Sequence, residues 1–417
     1  MKKILFVINT MGRAGAEKSL VALLKTIDYT KYSVSLLSVI NRGELFSAVP
    51  PEVRIINKNP DTRPVLGVRG AWYIAFSTLG RMLRRGYIFK FIPYAVKGFF
   101  RQAGERRIQP DKLMWLPLAE TTPAIDESYD LAIAFIEGAA TYYLARKVEA
   151  EKKVAFVHIH YGKAGYKRDF DEAFYRKMDY ICCISKPVAD AFKSVYPEYE
   201  NIRLFPNIID AGAIRAASQE ADARRVPDWR GGAGAFDSLR ILTVGRLNPQ
   251  KGYDVAIPAF ARLAGEGCGD IRWYVLGDGA EKPKLEKLIR RYKLDGRFVL
   301  LGSRENPYPY MKACDIYVQP SRFEGFPLAL QEALILNKPC ITANFEGASD
   351  LLENGKNAII IELSENSLYE AVKMMADDAG LRDRIAAATK DIVFASTNEI
   401  GRLYDLMDGK EWAEEEC

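Results

Sequence analysis

Residues 320–334 read Pro320-Ser321-Arg322-Phe323-Glu324-Gly325-Phe326-Pro327-Leu328-Ala329-Leu330-Gln331-Glu332-Ala333-Leu334. Two carboxylates stand eight positions apart, on either side of a Gly-Phe-Pro turn and the start of an apolar, helix-forming run. Pro327 suits a first helical residue, because its missing N–H would be unpaired there and its φ is already helical. Glu324 then falls in the loop before the helix and Glu332 within it, ~7–8 Å further along the axis. Between them come free backbone N–H groups and the positive end of the helix dipole, a seat for a phosphate. Taken singly, the glutamates are solvated helix-end charges. Taken together, they offer an acceptor for sugar hydroxyls, amides for a diphosphate and a second acceptor for a ribose, which suits a nucleotide-sugar.

The surrounding sequence alternates short β-branched runs with helical patterns. After the stretch 240–245, strands are expected at 272–276, 298–301, 316–318, 340–343 and 358–361, with helices at 253–264 and 280–292. The first half repeats the theme, with strands at 4–9, 34–39, 54–57, 129–135, 153–158 and 180–185 and a helix at 15–27. Such alternation predicts parallel α/β sheets. A stretch rich in small and charged residues, 206–238, reads as an interdomain connection with an exposed loop. At 417 residues, two domains are expected.

The run from Asp315 to Leu334 resembles the E-x7-E signature of the family-4 retaining glycosyltransferases of the GT-B fold. Gly245-Arg246-Leu247-Asn248-Pro249-Gln250-Lys251-Gly252 is similar to that family's G-R-l-x-x-x-K-G element. Gly12-Arg13-Ala14-Gly15-Ala16-Glu17 resembles its g-x-G-G-A-E turn, with Ala14 in place of the first paired glycine. The resemblance implies two doubly wound, Rossmann-like domains facing a central cleft: residues 1–205 on the acceptor side, 206–395 binding the nucleotide-sugar, and a last helix in 396–417 crossing back. It also implies a retaining transfer of a hexose or acetamido-hexose from a UDP-sugar to a hydroxyl of a glycan or polyprenyl-diphosphate-linked acceptor, in surface-polysaccharide assembly.

In that reading Arg246 and Lys251 stabilise charge building on the departing diphosphate, one by a bidentate fork and one as a point charge. Glu324 faces the donor sugar and Glu332 the ribose hydroxyls. Gly245, Gly325, Phe326, Pro327 and Leu328 lie against phosphate and sugar, Ser303 and Arg304 near the base, and Gly15 near the diphosphate. His158 matches a histidine beside the donor sugar; His160 lies on the same side if the strand continues. Asn207 matches a hinge-side Pro-Asn element, and Asp350 stands where the family has a glutamate. With Arg246 and Lys251 in place of a cation, no metal and no cofactor are expected. Two rivals stay open: a nucleotide-sugar epimerase of the same fold, and a non-catalytic nucleotide-sugar-binding subunit.

Bulk composition narrows the rest. Two histidines and six scattered cysteines with no Cys-x-x-Cys pair point away from a zinc site and toward a reduced, cytoplasmic setting. No signal peptide is read at the N-terminus and no apolar run reaches the ~18–20 residues of a membrane span. Net charge is +5, but residues 69–112 mix many Lys and Arg with aromatics and hold only Glu105 and Asp111 as acids. This segment is either amphipathic helix lying on an anionic membrane at the cell's inner face or an insertion packed on its own domain. It carries no nucleic-acid recognition motif.

Overall fold

The β-branched runs of each half build a parallel sheet. The computed structural model describes residues 1–65, 68–84, 86, 87, 89, 91, 110–162, 164, 166, 168–220, 239–266, 271–392, 394, 399–408, 410 and 412. The chain divides into residues 1–209 with 395–417, and residues 210–394. Residues 85, 88, 90 and 92–109 of the basic–aromatic segment, residues 221–238, Cys268 and Cys417 lie outside the described residues.

The first unit holds β1 (Lys2–Ile8), β2 (Tyr32–Ser38), β3 (Arg54–Ile55), β4 (Ser128–Ala134), β5 (Glu149–Val157), β6 (Tyr180–Cys183) and β7 (Ile202–Leu204). They are parallel, in the order β3-β2-β1-β4-β5-β6-β7. Residues 4–8, 131–134 and 154–157 are buried, because helices cover both faces of such a sheet. The helices are α1 (Gly15–Leu24), α2 (Val68–Arg84), α3 (Pro110–Thr121), α4 (Ala139–Lys147), α5 (Arg168–Tyr175) and α6 (Lys186–Val195). The sequence reading misses α4 because residues 139–145 are all buried, leaving no polar stripe to mark a helical period.

The second unit holds α7 (Ala211–Ala217), β8 (Leu239–Val244), α8 (Tyr253–Gly265), β9 (Ile271–Leu276), α9 (Lys282–Arg291), β10 (Phe298–Gly302) and α10 (Tyr308–Ala313). It continues with β11 (Ile316–Gln319), α11 (Leu328–Ile335), β12 (Cys340–Ala343), β13 (Ile359–Ile361), α12 (Glu365–Asp377) and α13 (Ala379–Ala388). Strand order is β10-β9-β8-β11-β12-β13, again parallel. Ile241, Trp273, Ile316, Val318 and Ile341 form its core with Phe260, Leu263, Leu368 and Val372 from the helices. Helix α7 corrects the reading of 206–238 as loosely ordered: Asp210 caps it by accepting the Ala213 N–H at 2.8 Å.

The last helix, α14 (Ile400–Met407), belongs to the first unit. Tyr404 stacks on Tyr32 at 4.4 Å and its hydroxyl accepts the Asp28 N–H at 2.9 Å. Arg402 donates to the Leu204 carbonyl at 3.1 Å.

Candidate active site

In each sheet the strand order reverses once, between β1 and β4 in the first unit and between β8 and β11 in the second. Loops leaving the carboxyl ends of such a pair diverge and leave a ligand crevice between them. In the second unit those loops carry Gly245 to Gly252 and Pro320 to Glu324, so distant sequence motifs become neighbours. Lys251 Nζ lies 2.7 Å from Glu324 Oε1, with the side chains only 14% and 7% exposed. Gln319 Nε2 donates to the same oxygen at 3.1 Å, and Tyr317 OH donates to Gln319 Oε1 at 3.2 Å. The carboxylate is thus fixed by a cation and an amide that are themselves held.

Backbone contacts lock the two loops. Gln250 Nε2 donates to the Phe323 carbonyl and the Arg322 N–H to the Gln250 carbonyl, both at 2.8 Å. Gly252 ends the turn before α8 with φ +68°, and a Cβ there would lie 1.9 Å from the Pro320 carbonyl oxygen. Only glycine allows both that backbone and that approach. Tyr253 OH donates to the Gly245 carbonyl at 3.0 Å; burial, with Glu324 adding to it, pushes this phenol well above its ordinary pKa. Arg246 is exposed and its guanidinium makes no hydrogen bond or ion pair with a described residue.

The turn before α11 differs from the sequence expectation. Pro327 has φ −81° and ψ +67°, so it precedes the helix instead of opening it. This is an inverse γ-turn: the Leu328 N–H donates to the Phe326 carbonyl at 2.9 Å. Pro327 has no N–H and that of Leu328 is engaged, so neither amide is open to a phosphate. The first intrahelical bond runs from Gln331 N to Pro327 O at 3.0 Å. The N–H groups of Ala329 and Leu330 therefore meet no backbone carbonyl among the described residues, as first-turn amides do. Leu330 is fully buried, so Ala329 is the donor that sequence reasoning missed; the γ-turn just before it has no sequence signal beyond the proline.

Glu332, buried inside α11, accepts from Tyr308 OH at 3.0 Å. Ser303 and Arg304 are exposed after β10, and Arg304 Nε donates to Tyr310 OH at 3.2 Å. Gly325, Phe326, Pro327 and Leu328 are half-buried between the two glutamates. The side chain of Asp350 lies outside the described residues.

The first unit gathers a second set at its own reversal point. Asn9, just after β1, donates to the Glu137 carbonyl at 2.9 Å and accepts the Ala140 N–H at 2.8 Å. Buried Glu137 accepts the His158 backbone N–H at 2.9 Å and the Tyr166 hydroxyl at 3.3 Å. Gly138, at φ +89°, has the Trp115 ring 2.6 Å from where a Cβ would be. Both ring nitrogens of His158 are buried without a hydrogen-bond partner among the described residues. Burial pushes its pKa down to about 3, so the ring is neutral near pH 7. Strand β5 stops at Val157, so the condition under which His160 would share the side of His158 is not met. Gly15 opens α1 after Ala14, whose ψ of 178° is extended, and Thr10 Oγ1 donates to buried Glu17 at 2.8 Å. Asn9 and Glu137 were not singled out from sequence, because nothing local marks a pair that meets only across β1 and β4. Among the described residues no group of His, Cys, Asp or Glu could hold a metal ion.

Residues 233–392 match the family model described as "Glycosyl transferases group 1". Among curated relatives, the Campylobacter jejuni N-acetylgalactosamine-N,N'-diacetylbacillosaminyl-diphospho-undecaprenol 4-alpha-N-acetylgalactosaminyltransferase is 35% identical over 144 residues, covering 34% of this chain and 38% of that protein. The Escherichia coli UDP-Gal:alpha-D-GlcNAc-diphosphoundecaprenol alpha-1,3-galactosyltransferase is 29% identical over 235 residues, covering 54% and 59%. The chain thus spans less than two thirds of either relative. Anabaena HepE, solved in complex with UDP and glucose, superposes with a TM-score of 0.63 at 18% identity over 94% of both chains. The two-sheet architecture is that of the GT-B glycosyltransferases.

Proposed function

We propose that this chain is a retaining glycosyltransferase moving a hexose or acetamido-hexose from a UDP-sugar to a hydroxyl of a glycan or polyprenyl-diphosphate-linked acceptor. The observation that carries the reading is the ion pair of Lys251 and Glu324, held at the second sheet's reversal point on the loop that also carries Arg246, whose guanidinium has no partner among the described residues. Further support comes from the family match, which spans these residues and Glu332. The names of two relatives include a diphospho-undecaprenol acceptor, and a structural neighbour is solved with UDP.

As the glycosidic bond to the donor breaks, negative charge grows on the diphosphate. Arg246, Lys251 and the Ala329 amide would stabilise it more in the transition state than in the ground state, which is what lowers a barrier. Glu324 would accept from sugar hydroxyls and Glu332 from the ribose. Gly245, Gly325, Phe326, Pro327 and Leu328 would shape the wall against phosphate and sugar, with Ser303 and Arg304 near the base. Gly15, at the opening of α1, would border the diphosphate. His158, neutral near pH 7, would act as a hydrogen-bonding group to the sugar and not as a charged one. No metal is required in this scheme, since the two cations do the neutralising.

The test is a panel of UDP-sugars, read by thermal stabilisation and by release of UDP with and without lipid-linked acceptor. Transfer with retained anomeric configuration, and loss of about 10²–10³-fold in turnover for Lys251→Ala, are expected. Binding with no turnover of any donor would leave a binding subunit, and sugar interconversion without acceptor would leave an epimerase. Either result overturns the proposal.

A further inference from the structure

We propose that Glu137 is a positioning residue, setting the direction of the His158 ring by clasping the loop after β5 near both of its ends. Glu137 stands just past β4 and is 6% exposed. Its Oε2 accepts the His158 backbone N–H at 2.9 Å, where the loop leaves the strand. Its Oε1 accepts the Tyr166 hydroxyl at 3.3 Å, shortly before α5. A carboxylate accepts on both oxygens, so one side chain can tie two points of the same loop. Burial, with Glu137 next, pushes the Tyr166 phenol well above its ordinary pKa, so it keeps its proton to donate at neutral pH.

A histidine ring is commonly oriented by a hydrogen bond to one of its nitrogens. Among the described residues no such bond aims His158: both imidazole nitrogens are buried without a partner. Phe135 and Phe156 flank the ring, with centroids 5.3 Å and 6.0 Å away, which confines it without choosing where each nitrogen points. Its direction then follows from where its backbone lies, and that backbone hangs on Glu137. Glu137 is held in turn by Asn9, which donates to its carbonyl at 2.9 Å and accepts the Ala140 N–H at 2.8 Å. Trp115, which leaves no room for a Cβ at Gly138, packs on Tyr166 with ring centroids 5.1 Å apart. In mid-loop, fully buried Tyr161 donates to Asp171 and lies 5.0 Å from the Tyr166 ring. The loop is thus fixed near its ends and in its middle without engaging either nitrogen of His158. Such preorganisation is what a group meeting a reacting sugar needs. The inference rests on the transferase reading for the reaction it serves, but the state of the ring can be measured without it.

The experiment compares the full chain with Glu137→Ala, Glu137→Gln, His158→Ala and the double variant Glu137→Ala, His158→Ala. For Glu137→Ala, kcat should fall about 10²-fold, the scale of a group displaced by ~1 Å. Donor KM should stay within about threefold, since the proposed ribose and base contacts lie in the second unit. Glu137→Gln should recover about tenfold or more of the loss, because its carbonyl still accepts the His158 N–H and its amide can donate to the Tyr166 oxygen. Adding Glu137→Ala to His158→Ala should cost less than about threefold more, since no ring is left to position. The chain has only two histidines, so spectra of isotope-labelled histidine identify the His158 signal by its loss in His158→Ala. Its relaxation should report a rigid ring in wild type and Glu137→Gln and a mobile one in Glu137→Ala. A Glu137→Ala protein with wild-type kcat, or with unchanged ring relaxation, overturns the proposal. So does full multiplication of the two losses in the double variant, or a Glu137→Gln protein as poor as Glu137→Ala. Should Glu137→Ala not fold, Tyr166→Phe removes one tie and keeps the ring on Trp115. A more mobile His158 and a loss of about threefold or more in kcat are then expected, and wild-type values for both overturn the proposal. Absence of turnover in every protein removes the transferase reading, and the ring relaxation still decides the positioning.

Discussion

Neutralising Glu324 should tighten the binding of UDP while abolishing the use of UDP-sugar. The Glu324 carboxylate lies 2.7 Å from the Lys251 ammonium. A diphosphate oxygen seated on that same ammonium would come within roughly 6 Å of the carboxylate. Two negative charges at that separation repel by about 0.7–2.8 kcal/mol as the effective dielectric falls from ~80 to ~20. Glu324→Gln keeps the size and the hydrogen-bonding carbonyl of the side chain, removes the repulsion and frees Lys251 for phosphate. UDP affinity should rise by about tenfold, near the middle of that range, while turnover of the UDP-sugar falls by about 10²-fold or more. Lys251→Met should lower both, since the pair loses its cation and the carboxylate stays. Calorimetric titration of UDP into the three proteins, with single-turnover assays alongside, decides the matter. Weaker UDP binding by Glu324→Gln, or unchanged binding by Lys251→Met, would mean that the diphosphate does not use this ammonium.

Gly252→Ala should destabilise the fold by roughly 2–4 kcal/mol in urea titration, because the added Cβ meets the Pro320 carbonyl at 1.9 Å and the backbone is left-handed. Glu332→Leu should weaken UDP about tenfold yet leave inorganic pyrophosphate binding unchanged, since only the ribose contact is lost; equal losses for both ligands would remove the ribose role. His158 has a folded pKa near 3 against an ordinary 6.5, so the unfolded chain binds the extra proton between those values. Its contribution is fully present above about pH 6.5 and is lost as pH falls toward 3, by roughly 2 kcal/mol at pH 5. His158→Gln should therefore lose less stability than wild type between pH 7 and pH 5 in matched urea titrations; parallel pH curves would place the ring in water.

Every strand expected from β-branched runs forms, with ends displaced by at most four residues and those of β12 not displaced at all. Burial of both faces of a parallel sheet writes itself into sequence as a continuous apolar run, so these were legible. The three-residue β7 and α4, buried from Ala139 to Ala145, were not, one being too short for a pattern and the other having no polar stripe along those residues to reveal its period. The motifs around Arg246, Lys251, Glu324 and Glu332 could be read as separate phrases, because loop chemistry is local: glycine, proline and charge at fixed spacing.

Which of those phrases touch is a matter of strand order. Lys251 and Glu324 meet because β8 and β11 are neighbours although β9 and β10 lie between them in the chain. The same reversal in the first unit brings Asn9 to Glu137, and Glu137 to the backbone of His158. The sequence alone determined the elements and the types of chemical group available. Tertiary structure decided which carboxylates are buried and which first-turn amide of α11 is left without a carbonyl partner. Those outcomes depend on packing across the sheet and on one γ-turn, and neither leaves a periodic trace in the chain.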